Sequence, residues 1–267
     1  MGIMQGRRGV VMGVANDHSL AWGISQALAE QGAQIAFTYQ SEVLEKRVRP
    51  LAQSLGCEQW VYPCDVSQDA DIDTLFSTLQ KTWGKIDFIL HAIAFAEKED
   101  LKGAYVTTSR ENFAKAMDIS CYSFTAVVQK ALPILAPGAS LLSLTYEGSN
   151  RVIPHYNVMG VAKAALESSV RYLATDLGPK DIRVNALSAG PVRTLASAGI
   201  GDFRYILKWN ADNAPLRRNV TLDDVGKSGL YLLSPLSSGV TGEIHNVSCG
   251  YHTVGMKAVD SVDCLPS

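Results

Sequence analysis

Short apolar runs alternate along the chain with segments whose apolar residues recur every three or four positions. βαβ units produce this alternation when a parallel sheet is covered on both faces. Val10-Val11-Met12 reads as a first strand and 20–29 as the helix after it, with Ser19 at its N-cap. Residues 35–38 predict a second strand, 42–55 a helix, and 59–62 a third strand ending at Pro63. The rhythm continues with a helix over 69–83, a strand over 86–94, one long helix over 110–135 closed by Pro137-Gly138, and a fifth strand over 140–145. A helix over 156–177, a strand over 182–187, a helix over 222–233 and a last strand over 243–247 complete about seven strands and six or more helices. The pattern predicts α/β architecture: a single doubly wound domain over 1–256, its parallel sheet about seven-stranded with helices on both faces. Residues 190–215 break the regularity and read as either a lid or a pair of helices, and 257–267 as a C-terminal tail.

Composition narrows the partners. A chain of 267 residues with 47% hydrophobic and 19% charged positions can bury a sizeable core. Lys and Arg total 24 against 26 Asp and Glu, a formal charge of -2, so the basic excess that nucleic acid or anionic lipid demands is missing. Five scattered cysteines with no C-x-x-C pair form neither a disulfide framework nor a metal site, and a reducing cytoplasm is the expected compartment. No apolar run approaches the ~18 residues of a membrane span, so membrane insertion is not expected.

Candidate chemistry gathers at three places. The first strand runs into Gly13-Val14-Ala15-Asn16-Asp17-His18-Ser19-Leu20-Ala21-Trp22-Gly23, a small-residue turn opening a helix. Free N–H groups and the positive helix end suit a dinucleotide pyrophosphate there, although the usual G-x-G-x-x-G is absent and an ordinary tight turn is the alternative. After the second strand Gln40 can bond ribose hydroxyls without charge, and no basic residue follows immediately to meet a 2′-phosphate. After the third, Asp65 suits an adenine amino group and equally a turn or N-cap. On the helix over 156–177, Tyr156 and Lys163 are seven residues apart, which returns them to within ~20° of one face, ~10 Å apart. Tyr146 closes the fifth strand at the carboxyl edge, where open α/β sheets bind ligands, and both a substrate contact and a packing role suit it.

With these residues in place the chain resembles the short-chain dehydrogenase/reductases, and among them the NADH-dependent enoyl-acyl-carrier-protein reductases of bacterial type. The segment from Gly13 to Gly23 is similar to that subgroup's G-x5-S-x-A-x-G turn. Most short-chain dehydrogenases space their Tyr and Lys by three residues, whereas Tyr156-x6-Lys163, with Met159 between and Gly160 where the usual Lys would stand, matches the enoyl reductases. Phe37-Thr38-Tyr39-Gln40, Tyr146 ten residues before Tyr156, and Pro191-Val192-Arg193-Thr194-Leu195-Ala196 extend the resemblance, which runs to about Met256.

The resemblance implies a Rossmann-like fold and reduction of the 2,3 double bond of enoyl thioesters by NADH in fatty acid biosynthesis. It implies that Gly13, Ser19 and Leu20 hold the pyrophosphate region, Gln40 the adenosine ribose, Asp65 and Val66 the adenine, and Ile93 the cofactor's central part. Lys163 takes the nicotinamide ribose, and Val192, Arg193, Thr194, Leu195 and Ala196 the nicotinamide side. Tyr156, Lys163 and Tyr146 are the expected catalytic groups, and Ala96, Tyr146 and Tyr156 the substrate-binding ones. Ala94 departs from the Gly of relatives at that point, and Ser143 stands where ordinary short-chain dehydrogenases keep a catalytic Ser without receiving a role here. Acyl-carrier protein is the implied partner, a homotetramer the implied assembly, and no metal is expected. A ketoreductase or another carbonyl/alcohol dehydrogenase of the same fold is one rival; a non-catalytic NAD-binding regulator is the other.

Overall fold

β1 (Arg8–Met12) is an interior strand of a sheet whose faces are both covered: Val10, Val11 and Met12 are all fully buried. The computed structural model describes residues 2–195, 197, 200 and 202–256. Within them the chain runs β1, α1 (Leu20–Glu30), β2 (Gln34–Tyr39), α2 (Glu42–Ser54), β3 (Val61–Pro63), α3 (Asp69–Trp83), β4 (Ile86–His91). It continues with α4 (Arg110–Met117), α5 (Ser123–Ala131), β5 (Leu135–Thr145), α6 (Asn157–Leu177), β6 (Arg183–Ala189), α7 (Phe203–Asn213), α8 (Leu222–Leu233) and β7 (Ile244–Val247).

All seven strands pair in parallel, in the order β3-β2-β1-β4-β5-β6-β7. Alternate side chains feed two cores. Val10 and Met12 join Leu75, Phe124 and Leu166 from α3, α5 and α6 on one face, while Val11 joins Ile24, Val48 and Leu232 from α1, α2 and α8 on the other. The strand order reverses between β1 and β4, so loops from these strands diverge at their carboxyl ends and leave the crevice where this architecture binds ligands.

Several elements differ from the sequence expectation. The long helix over 110–135 is interrupted by a π turn, Asp118–Tyr122, and ends in a 3-10 turn, Leu132–Ile134. The π turn carries Ser120, whose hydroxyl accepts from the Phe95 N–H at 2.9 Å and donates to the Phe95 carbonyl at 3.0 Å. Periodicity does not register a one-residue widening of this kind. β4 stops at His91 rather than 94, and β5 starts at Leu135, taking Pro137-Gly138 into an irregular entry with Gly138 at φ +77. Among the described residues of 190–215 one α-helix, α7, is present. The expected tail over 257–267 lies outside the described residues.

Candidate active site

Gly13 follows β1 with φ +100, a conformation that favours glycine, and a Cβ there would stand 2.1 Å from the Ala92 carbonyl oxygen. The turn after β1 can therefore lie directly against the chain leaving β4. Ser19 occupies the N-cap position of α1, yet its hydroxyl makes no capping bond and instead accepts from the N–H groups of Ala15 at 3.0 Å and Asn16 at 3.1 Å. The expected capping role is thus replaced by folding of the turn itself. Leu20 opens α1, so the N–H groups of the first helical turn face the crevice entrance.

Beyond the carboxyl ends of β2 and β3, Gln40 donates through Nε2 to Asp65 Oδ2 at 2.9 Å. Asp65 Oδ1 accepts from the backbone and hydroxyl of Ser67 at 2.9 and 2.8 Å, so the carboxylate shapes a turn and also meets Gln40. Burial raises the Asp65 carboxyl, and the bonds from Gln40 and Ser67 outweigh it, holding the group below the usual carboxylate range. Val66 packs its side chain into the core, and Ile93 packs half-buried against the same cluster.

The tyrosines meet at the carboxyl end of β5. Tyr146 and Tyr156 cross edge-to-face, ring centroids 5.0 Å apart and planes at 74°. Tyr156, Leu101 and Met159 are buried together, with Ala96, Tyr146, Ile153 and Ile200 packed around them. Tyr156 stands at the N-cap of α6 rather than inside the helix, between His155 at φ +61 and Asn157 at φ +41. Asn157 offsets that backbone strain by donating through Nδ2 to the carbonyls of Asp100 at 2.7 Å and Gly103 at 2.9 Å. Nothing in the chain's periodicity announced this clamp.

Lys163 lies two turns along α6, 5% exposed, and donates through Nζ to the Leu144 carbonyl at 2.7 Å. An ammonium has three donors, so this bond leaves capacity for ribose hydroxyls. Burial pulls its pKa down to about 8, against an upward pull from Cys121 and Glu167. Burial raises both phenols, Tyr156 further helped by Tyr146 and Glu167, which keeps them protonated at neutral pH. Ser143 is fully buried and donates to the His91 carbonyl at 3.1 Å, so it is a strand hydroxyl engaged inside the sheet.

After β6, Val192 is half-buried, Arg193 exposed and Leu195 51% exposed. Thr194 and Ser197 bond reciprocally: Thr194 N–H donates to Ser197 Oγ at 2.8 Å, and Ser197 N–H to Thr194 Oγ1 at 3.1 Å. Ala196 lies outside the described residues. Among the described residues no cluster of His, Cys, Asp and Glu suits a metal ion.

A doubly wound parallel sheet with a buried Tyr–Lys pair where β5 hands over to α6 defines a short-chain dehydrogenase/reductase. Comparisons with known proteins go further. The model of the family described as enoyl-(acyl carrier protein) reductase matches residues 13–252. Enoyl-(acyl-carrier-protein) reductase (NADH) 1 of Rhizobium meliloti (strain 1021) is 64% identical over 98% of this chain and 96% of its own length. Among solved structures, the enoyl-(acyl-carrier-protein) reductase of Anaplasma phagocytophilum in complex with NAD is 57% identical with a TM-score of 0.92, covering 97% of this chain and 96% of its own. The Bacillus cereus enoyl-acyl carrier protein reductase with NADP+ and indole naphthyridinone is 50% identical with a TM-score of 0.94, over 96% of this chain and 100% of its own. This chain belongs to the enoyl-(acyl carrier protein) reductase family.

Proposed function

We propose that the protein is an NADH-dependent enoyl-acyl-carrier-protein reductase of fatty acid biosynthesis, and that Tyr156 is the donor to its substrate. The observation that carries this reading is the Tyr146–Tyr156 pair inside an apolar pocket, with the Lys163 ammonium buried along the same helix. The residues present fit a dinucleotide: a glycine turn pressed against β4, the open end of α1, Gln40 beside Asp65, and an ammonium with donors to spare. When bound, the nicotinamide supplies a hydride to the β-carbon of the enoyl thioester.

Charge then collects on the thioester oxygen as an enolate. The Tyr156 hydroxyl, kept protonated by burial, donates to that oxygen, and its place at the positive end of α6 favours the anion further. Lys163 binds the ribose. Gly13, Ser19 and Leu20 hold the pyrophosphate, Ser19 through the turn it folds; Gln40, Asp65 and Val66 hold the adenosine, Val66 through its backbone. Ile93 lies under the middle of the cofactor, and Val192, Arg193, Thr194, Leu195 and Ala196 border the nicotinamide. Ala96 and Tyr146 wall the acyl chain, with Leu101 and Ile200 beside them.

A ketoreductase reading is disfavoured by Ser143, whose hydroxyl donates to the His91 carbonyl inside the sheet. The assay that decides is NADH oxidation with a 2-enoyl against a 3-oxoacyl thioester. Faster turnover of the 3-oxoacyl compound would reverse the assignment, and nucleotide binding without turnover of either would restore the regulator. The chain is read as one domain over 1–256, with 190–215 as substrate lid and 257–267 as tail. The enzyme works in the cytoplasm as a homotetramer; exposed Tyr122 and Tyr172 on the α4–α6 side support an assembly surface, and no helix among the described residues is long and apolar enough to cross a membrane. Sedimentation equilibrium at micromolar concentration tests the tetramer.

A further inference from the structure

Glu167 is a buried acidic side chain to which the reaction gives no part. It follows Lys163 by four residues on α6, so the two side chains share a face one turn apart, and each is 5% exposed. Its Oε1 accepts from Thr145 Oγ1 and from Ser149 Oγ, both at 2.6 Å. These donors bracket Tyr146: Thr145 is the last residue of β5, and Ser149 ends the 3-10 turn Glu147–Ser149. One carboxylate oxygen thus ties down both ends of the segment that carries the ring packed on Tyr156.

Burying a carboxylate is costly unless hydrogen bonds and opposite charge compensate it. The hydroxyls supply the first, and the buried Lys163 ammonium one turn away acts electrostatically with the carboxylate. The groups acting on Lys163 are Cys121 from the π turn, Glu167 on its own helix and His91 from β4. His91 brings no positive charge at neutral pH: fully buried, with Nε2 2.8 Å from Ser123 Oγ, its pKa is pushed down to about 3 by burial and by Lys163. Glu167, one turn away on the same helix, therefore favours the charged form of Lys163 against the burial that disfavours it.

We propose that Glu167 is a positioning residue of the reductase site, fixing Tyr146 through Thr145 and Ser149 and holding the charge of Lys163 through its own. This rests on the reductase reading above, and the unaltered enzyme reducing a 2-enoyl thioester with NADH tests that reading separately. Glu167→Gln keeps an oxygen for both hydroxyls and removes the charge. The double variant Thr145→Val with Ser149→Ala removes both donors and keeps it.

NADH dissociation constants are to be measured by fluorescence titration from pH 7 to 10, with kcat for each variant. Glu167→Gln is expected to move the alkaline weakening of NADH binding down by about one pH unit. The double variant is expected to lower kcat about tenfold while its NADH dissociation constant and pH profile match the unaltered enzyme. A Glu167→Gln profile superimposed on the unaltered one overturns the proposal, and so does an undiminished kcat in the double variant. If Glu167→Gln does not fold, the double variant still decides.

Discussion

A Cβ added to Gly148 would stand 2.3 Å from Cδ1 of Tyr156, so the ring of the donor lies in the space that any other residue at 148 would fill. A second glycine continues the contact: a Cβ at Gly160 would come within 2.6 Å of the Gly148 carbonyl oxygen. Close approach of the 3-10 turn to α6 thus forbids a side chain at 160, where most short-chain dehydrogenases carry their lysine. Lys163 reaches the site from one turn further along and anchors on Leu144.

Gly148→Ala is expected to fold and bind NADH with little change, since it touches no nucleotide-binding residue, and to lose about tenfold to a hundredfold in kcat as the displaced phenol misses the thioester oxygen. Steady-state kinetics with an enoyl thioester reads this. A kcat within twofold of the unaltered enzyme would mean the ring tolerates a shift the reaction does not feel.

Tyr156→Phe deletes the donor and leaves the ring in place. Turnover should fall about 10²–10³-fold while the NADH dissociation constant stays nearly constant, the pattern of an interaction made only in the transition state. Near-normal turnover would remove Tyr156 from the mechanism.

The strands and helices that bury both or one of their faces were legible in the sequence because burial imposes a period: α3 and α8 begin and end where the pattern placed them. What escaped was set by single hydrogen bonds. Ser120 widens a helix by clasping Phe95, and Asn157 holds a positive φ by bonding two distant carbonyls. Partners 25 and 57 residues away leave no mark on local periodicity. Glu167 was within reach, since an acid four residues after a lysine on a helix is a recognisable pair, but its burial was not.

Cofactor preference follows from the Gln40–Asp65 bond. A carboxylate 2.9 Å from the Gln40 amide stands where a 2′-phosphate would be repelled, so kcat/KM should favour NADH over NADPH. Gln40→Arg both adds a cation and offsets Asp65, and should narrow the ratio by about tenfold or more. Equal kcat/KM values for the two cofactors in the unaltered enzyme would contradict the argument.

Lys163 makes stability depend on pH in a direction opposite to most lysines. Its pKa falls from 10.5 to about 8 on folding, so the unfolded chain binds more protons between these values. The penalty is complete below pH 8 and relieved as pH rises toward 10.5. Comparison with Lys163→Met cancels the thiols and phenols that titrate nearby. Relative to that variant, the unaltered protein should gain on the order of 3 kcal/mol in urea unfolding across the window, and a flat difference would show that the buried ammonium is already fully compensated.

The segment over 190–215 is expected to act as a lid. Ile200 packs on the tyrosine pocket, and α7 buries only Ile206, Leu207, Asn210 and Asn213, leaving Tyr205 and Trp209 half exposed. Side chains tie it to its surroundings: His155 Nε2 lies 3.2 Å from Asp202 Oδ2, Trp209 Nε1 donates to the Tyr251 hydroxyl at 3.0 Å, and Asn219 both accepts from Asn210 Nδ2 at 2.9 Å and donates to the Leu207 carbonyl at 3.1 Å. Ala196, Ala198, Gly199 and Gly201, between Leu195 and Asp202, lie outside the described residues. A helix that buries so few apolar side chains opens at modest cost, and an acyl chain against Ile200 and Ile206 would add apolar burial that favours closure and keeps water from the enolate. Hydrogen exchange should therefore show protection of the α7 amides rising when NADH and an acyl ligand bind together. Protection already maximal in the free protein and unchanged by both ligands would establish α7 as a permanently packed helix.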